Sequence, residues 1–173
     1  MKMRNNLPPS KQSHSTQVSM HIFLLIHQKE RHRKTNTGQL VLEAFQEKAT
    51  MILWERKRPD PALLNVIQEG SVALLYPSAE SKLISEASTF DNYIVIDGTW
   101  QEAQKIYNHS PYLQSLPHIK VASTQASLYH LRRNQTKEGL CTVELVMEVC
   151  KYYGDTKMAE KLEEKFTSFL TGQ

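Results

Sequence analysis

The sequence has little of several features that would define other classes of protein. Its two cysteines, Cys141 and Cys150, do not form a Cys-x-x-Cys pair, so the sequence indicates neither a disulfide framework nor a zinc site. No apolar run approaches the length of a membrane span, and the six glycines and seven prolines form no linker-like tract. These absences predict a cytoplasmic protein in a reducing compartment, with no metal and no membrane partner.

The length and composition predict one globular domain. A chain of 173 residues with 40% apolar and 23% charged residues can bury one sizeable core but hardly two. The basic stretch 1–19 has no long apolar segment, and the run 22–26 is too short for the core of a signal sequence. We expect residues 1–19 to be a flexible leader and residues 20–173 to form a single domain.

The positive charge is small in total, at +3, but it is clustered. Clusters occur at residues 31–34 and 56–58, and again at Arg132 and Arg133 with Lys137 nearby. Clustering favours a polyanionic partner, because each neutralised phosphate releases counterions. Solvated loop ends explain the first two clusters about equally well.

Short apolar runs alternate with amphipathic segments along the chain. The runs predict buried strands at His21–Ile26, 71–78, Asn92–Asp97 and, more weakly, 118–122. The amphipathic segments predict helices at 37–48, 61–68, 80–87, 99–107, Thr142–Tyr152 and 156–170. The alternation predicts an α/β fold with a mainly parallel sheet flanked by helices.

One predicted strand ends on a carboxylate, in the stretch Asn-Tyr-Ile-Val-Ile-Asp-Gly-Thr-Trp. Ligands bind outside the carboxyl ends of parallel strands, which places Asp97 at the rim of a site. Thr99 and Glu102 have the spacing of a capping box that starts the next helix. Asp97 could instead merely help to cap that helix, and Trp100 could pack the helix on the sheet rather than contact substrate.

Ordered sequence blocks resemble one known family. Asp-Gly-Thr-Trp, which ends at Trp100, resembles the Asp-x-Thr-Trp signature of the DTW-domain family of tRNA-uridine aminocarboxypropyltransferases. The resemblance covers residues 21–153. Its other blocks are HQKERHRKTNTGQL from His27, LLYPS from Leu74, SPYLQSLPHIKV from Ser110 and SLYHLRRNQTKEGLCTVE from Ser127.

The resemblance implies a fold and a reaction. The reaction transfers the 3-amino-3-carboxypropyl group of S-adenosylmethionine to N3 of a uridine in tRNA. The fold is related to the SPOUT class, with a C-terminal trefoil knot, an otherwise rare feature. Members of the family often begin with a cysteine-rich stretch, whereas residues 1–20 contain no cysteine, so a metal is not implied.

The resemblance and the chemistry together suggest roles for particular residues. Asp97 is the candidate general base, or orients the uracil while solvent takes its proton, and Thr99 and Trp100 complete the catalytic group. Thr-Asn-Thr-Gly at 35–38 has small donors at a helix start, suited to a phosphate, a carboxylate or simple capping. We predict that the donor is held by Pro77, Ser78, Asp97, Ser127, Tyr129, Arg132 and Thr142.

The remaining predictions concern the RNA partner. Arg31, Arg33, Lys34 and Arg133 are the predicted RNA contacts, since guanidinium and ammonium groups pair with phosphate. The block 127–133 could instead be a polar loop whose arginines pair with acids elsewhere. The chain is expected to be a monomer or weak homodimer. A SPOUT-type RNA methyltransferase and a non-catalytic RNA-binding module remain alternatives.

Overall fold

The computed structural model describes residues 19–122 and 139–172. The strands are β1 (His21–Ile26), β2 (Ala49–Leu53), β3 (Val72–Leu75), β4 (Lys82–Leu83), β5 (Asn92–Asp97) and β6 (His118–Lys120). The helices are α1 (Gly38–Phe45), α2 (Pro61–Glu69), α3 (Trp100–Asn108), α4 (Pro111–Gln114), α5 (Thr142–Tyr152) and α6 (Thr156–Thr171). Short 3-10 turns occur at Gln28–Glu30, Gln46–Lys48 and Ile84–Glu86.

The described strands form one six-stranded sheet in the order β2-β1-β5-β3-β6-β4. Every described pairing is parallel. The predicted α/β fold with a parallel sheet is therefore confirmed, while the SPOUT relationship and the knot stay predictions. Because parallel strands share one direction, the loops after β1, β2, β3 and β5 all emerge at the same edge, here called the carboxyl edge.

Helices cover both faces of the sheet because successive strand residues point to opposite sides. In β1, Ile22 and Leu24 pack with helices α1, α5 and α6, whereas Phe23 and Leu25 pack with α2, α3 and α4. Fully burying one such side chain contributes about 1.5–3 kcal/mol. This double burial explains why β1 and β5 are continuous apolar runs rather than alternating ones.

The predicted helix at 80–87 is wrong. The segment instead contains the short strand β4, which pairs with β6, and the 3-10 turn Ile84–Glu86. Ser81 is buried just before β4, where its hydroxyl donates to the Tyr76 carbonyl at 2.6 Å and accepts from the Ser78 N–H at 2.7 Å. Such side-chain bonds to backbone compete with helix formation.

Two elements escaped prediction, and one helix is shorter than expected. β2 lies at the edge of the sheet, so Thr50 and Met51 are exposed and the strand lacks a fully apolar pattern. α4 is a single turn. α1 ends at Phe45 rather than Lys48, because Gln46 has a φ of 53° and cannot continue the helix.

Within residues 19–122 and 139–172, no helix has the length and apolar character needed to cross a membrane.

Candidate active site at the carboxyl edge

Asp97 ends β5, the strand between β1 and β3, and its side chain is buried. It pairs in register with Ile26 of β1, and only 1% of its surface is exposed. Its Oδ1 accepts a hydrogen bond of 2.7 Å from the hydroxyl of Thr142, the first residue of α5. The strand therefore ends on an acid that holds the start of a distant helix.

The start of α1 lies against the other oxygen of the same carboxylate. A Cβ atom on Gly38 would lie 2.3 Å from Asp97 Oδ2 and 2.9 Å from Asn36 Oδ1. The Gly38 N–H donates to Asn36 Oδ1 at 2.7 Å, which fixes this turn. The absence of a side chain at Gly38 is what allows the helix to approach so closely.

The two helix starts also contact each other. The backbone N–H of Val143 in α5 points to the hydroxyl of Thr37 at 3.4 Å, and both Thr37 and Thr142 are buried. Helix N-termini carry partial positive charge, which favours a nearby carboxylate. The last residue of the Thr-Asn-Thr-Gly segment, Gly38, lies against the carboxylate of Asp97, and the use of this segment for a ligand stays a prediction.

α3 has its own cap next to Asp97. The Thr99 hydroxyl accepts from the Glu102 N–H at 3.3 Å, and Glu102 Oε2 accepts from the Thr99 N–H at 3.0 Å. The predicted capping box is confirmed. Thr99 and Glu102 therefore cap α3. The carboxylate of Asp97 contacts the first residues of α5 and α1.

A charged cluster joins the loop after β1 to the start of α3. Arg33 forms an ion pair with the fully buried Glu30 and lies 3.8 Å from Glu102. Burial alone would raise the pKa of Glu102. Hydrogen bonding with Thr99 and the charge of Arg33 outweigh burial and lower that pKa below its usual value. Arg33, a predicted RNA contact, thus has two carboxylate partners within the protein.

Trp100 begins a stack of aromatic rings between α3 and the end of β3. Its indole lies parallel to the ring of Tyr76, with centroids 5.6 Å apart, and Tyr76 stacks on Tyr107 at 4.4 Å. Trp100 is 39% exposed, whereas Tyr76 is buried. One part of the indole therefore packs on the protein, and the rest is open to a ligand.

The loop after β3, which contains Pro77 and Ser78, is held by hydrogen bonds to β6. The Ser78 hydroxyl lies 3.0 Å from His118 Nδ1 and 3.0 Å from the Ser81 hydroxyl. Pro77 is exposed. Sequence reasoning missed Ser81 and His118. The contact of His118 with Ser78 depends on the pairing of β3 with β6, whereas Ser81 lies in the segment predicted to be a helix.

The structure places the predicted residues in three groups. Asp97 and Thr142 are in direct contact, and Thr99 and Trp100 follow Asp97 in the chain. Pro77 and Ser78 follow β3, the neighbour of β5, and are linked to Trp100 through Tyr76. Arg31, Arg33 and Lys34 lie in the loop after β1. Ser127, Tyr129, Arg132 and Arg133 lie outside the described residues.

The cysteines are ill suited to act as nucleophiles. Burial is the main cause that raises the pKa of each thiol, Cys141 and Cys150, to about 12, and nearby carboxyl groups add to the effect. The thiol is then the dominant form at neutral pH, and only the thiolate is reactive. Neither cysteine is therefore a candidate nucleophile of this site.

The fold and site define an α/β domain with a carboxylate-centred site at the carboxyl edge of a parallel sheet. A family model described as DTW domain matches residues 3–173, and the chain belongs to this family. No solved structure matches the chain.

Similar proteins include three named tRNA-uridine aminocarboxypropyltransferase 2. The Drosophila melanogaster protein is 31% identical over 135 residues, which are 73% of this chain and 53% of that protein. The Macaca fascicularis protein is 25% identical over 146 residues, or 80% of this chain and 49% of that protein. The Mus musculus protein is 25% identical over 136 residues, which are 74% of this chain and 46% of that protein. The chain spans about half the length of these relatives.

Proposed function

We propose that this protein transfers the 3-amino-3-carboxypropyl group of S-adenosylmethionine to N3 of a uridine in tRNA. The observation that carries the proposal is the Asp-Gly-Thr-Trp run at the end of β5, in a chain of the DTW domain family. The names of the three relatives support the same reaction and the same RNA.

One charge of the donor suits the described residues. Its positive sulfonium is compatible with the carboxylate of Asp97, provided that the start of α5 or α1 moves and exposes that carboxylate. Pro77 and Ser78 would hold the donor from the neighbouring strand. When bound, the donor supplies a methylene group activated by the adjacent sulfonium. The predicted contribution of Ser127, Tyr129 and Arg132 stays a prediction.

The chain's own residues have to orient the uracil and accept or direct one proton. In the transfer, a bond forms between uracil N3 and the methylene carbon, and the carbon–sulfur bond breaks. Its electron pair stays on sulfur, which leaves methylthioadenosine. Asp97 is the proposed acceptor of the N3 proton, or the group that orients the imide while solvent takes it. Trp100 is the proposed surface on which the base stacks.

The burial of Asp97 sets a condition on this role. Its carboxylate is 1% exposed and accepts from Thr142, so a uracil reaches it only if Thr142 or the start of α1 moves when substrate binds. If neither moves, Asp97 acts as a positioning residue that holds the two helix starts. The rate and stability of an Asp97 variant distinguish these roles.

The test of the function is a product analysis. The protein is incubated with tRNA and S-adenosylmethionine labelled in the carboxypropyl group, and the RNA is digested to nucleosides for mass analysis. We expect aminocarboxypropyl-uridine in the RNA and methylthioadenosine in solution. Only methylated nucleosides, with S-adenosylhomocysteine, would show a methyltransferase. RNA binding without any donor-dependent product would show a binding module.

We further propose that the fold is related to the SPOUT class, that the protein acts in the cytoplasm, and that it is a monomer or weak homodimer. The parallel sheet with its site at the carboxyl edge supports the first of these.

A further inference from the structure

Two basic segments that are distant in sequence lie in loops that leave neighbouring strands at the carboxyl edge. The first, residues 31–34, lies in the loop after β1, and the second, residues 56–58, in the loop after β2. The loops leave the sheet together, because the Trp54 N–H donates to the Ile26 carbonyl at 2.8 Å. The rings of His27 and Trp54 then lie 5.9 Å apart.

The cations of the two basic segments, 31–34 and 56–58, fall into two kinds. Two arginines have carboxylate partners. Arg33 pairs with Glu30 and Glu102, and Arg58 pairs with Glu55. Four other cations are exposed and form no ion pair with any described residue; they are Arg31, Lys34, Arg56 and Lys57. These four have no internal electrostatic partner among the described residues to hold them.

The acidic groups of the two loops are already engaged. Glu30 is buried against Arg33, and Glu55 accepts both guanidinium contacts from Arg58. Asp60 caps α2 by accepting from the Leu63 N–H at 2.9 Å. These three are the acids of residues 27–37 and 54–60. The outward charge of the two loops is therefore positive.

The position of the loops relates them to the candidate active site. Leu53, Ile26 and Asp97 are in register across β2, β1 and β5. Neighbouring strands are about 5 Å apart, so the two loops begin roughly 5 and 10 Å from the strand end that carries Asp97. A chain of phosphates running from a nucleotide at Asp97 along this edge would pass over both loops.

We propose that Arg31, Lys34, Arg56 and Lys57 form one surface, here called the two-loop surface, which binds the phosphate backbone of RNA beside the modified nucleotide. The inference rests on the proposed function for the identity of the RNA, and it adds the loop after β2 to the binding site. Lysine and arginine bind phosphate without reading sequence, so this surface positions the RNA and the Asp97 region selects the base.

The experiment compares charge-matched double variants for tRNA binding at several salt concentrations. Arg56→Gln/Lys57→Gln removes two charges from the two-loop surface. Lys48→Gln/Lys157→Gln removes two charges from a cleft lined by both residues and Met20, at the opposite edge of the sheet. We expect the first variant to bind more weakly and to reduce the slope of log affinity against log salt by roughly 1.5 to 2. The second should keep the wild-type slope.

Single-turnover kinetics separate binding from chemistry. For Arg56→Gln/Lys57→Gln we expect a higher half-saturating concentration of tRNA, with the rate at saturation unchanged. An unchanged salt slope, or an equal loss in the Lys48 and Lys157 variant, would overturn the two-loop surface. The proposal would also be overturned if the wild-type protein bound vesicles of anionic phospholipid and Arg56→Gln/Lys57→Gln still bound tRNA as tightly as wild type.

The same measurements tell failure of the surface from failure of the function. If tRNA binding has the expected slope difference but no aminocarboxypropyl-uridine forms, the surface stands and the proposed reaction is wrong. If that product forms and the Arg56 and Lys57 variant behaves as wild type, the reaction stands and the surface is wrong.

Discussion

The hydroxyl of Thr142 donates a 2.7 Å hydrogen bond to the carboxylate of Asp97, and this contact joins residues 45 positions apart in the chain. It connects the end of β5 to the start of α5. Since Gly38 of α1 packs on the same carboxylate, one side chain holds three elements of the fold together.

Asp97→Asn should separate the chemical from the structural role of this carboxylate. Asparagine keeps an oxygen acceptor for the Thr142 hydroxyl but cannot act as a base. We expect single-turnover transfer to fall by a factor on the order of a hundred to ten thousand, with little change in melting temperature. A variant that melts early yet transfers at the wild-type rate would show that Asp97 only positions the helices.

Thr142→Val tests the structural part alone. It removes the hydroxyl donor and leaves a buried carboxylate with one partner fewer, which should cost about 1–3 kcal/mol in the free energy of unfolding. The matched control is Thr156→Val, the same change at the first residue of α6, where the threonine is exposed. Urea unfolding of both variants gives the comparison, and equal losses would contradict the expectation.

Gly38→Ala should destabilise the protein although alanine favours helices over glycine by about 1 kcal/mol. The added Cβ would lie 2.3 Å from Asp97 Oδ2, so the helix start has to shift. We expect a net loss of about 1–3 kcal/mol in the free energy of unfolding.

The control for Gly38→Ala is the same change in an Asp97→Ala background, where the opposing oxygen is gone. There the substitution should cost much less, so the two changes should be clearly non-additive. Additive losses would mean that Gly38 and Asp97 do not interact in the way the structure shows.

Trp100→Ala should weaken tRNA binding more than it weakens the fold. The exposed part of the indole offers a stacking surface, and loss of stacking on one base costs about 1–3 kcal/mol of binding. Trp100→Phe should retain most of the affinity. Tyr152→Ala is the control, because Tyr152 is an exposed aromatic of α5, with 47% of its surface accessible. Similar affinities for Trp100→Ala and Tyr152→Ala would argue against a stacking role.

Glu102 should make part of the stability depend on pH. Burial acts to raise its pKa, but its hydrogen bonds with Thr99 and the charge of Arg33 lower it below the ordinary value of 4.5. The folded state therefore binds this proton more weakly than the unfolded state. The resulting stabilisation is present above about pH 4.5 and is lost as the pH falls through the lowered pKa.

Glu102→Gln should accordingly be less stable than wild type at neutral pH, and the difference should shrink below pH 4.5. Melting curves between pH 3 and 7 measure it. Glu148→Gln is the control, because Glu148 forms a partly exposed surface pair with Lys151, the kind of pair that contributes about 0–1 kcal/mol. A difference between Glu102→Gln and wild type that does not vary with pH would contradict the assignment.

The prediction of elements succeeded where a strand is buried on both faces or a helix carries its own cap. β1 and β5 are continuous apolar runs, and their predicted bounds match the structure. α5 also has its predicted bounds. The prediction of elements failed at the edges of the sheet, where β2 is partly exposed and β4 depends on pairing with β6. A short edge strand has too few buried side chains to show a clear pattern.

What the sequence determined by itself about this protein is local: the alternation that defines the α/β class, the Thr99 and Glu102 box, and a carboxylate at the end of a buried strand. Each depends on residues within a few positions of one another, where spacing alone sets the geometry. The tertiary structure alone decided that Asp97 meets Thr142 and Gly38, and that two separate basic segments share one edge. These relationships depend on strand order, because contacts between residues distant in sequence arise only once the sheet is assembled.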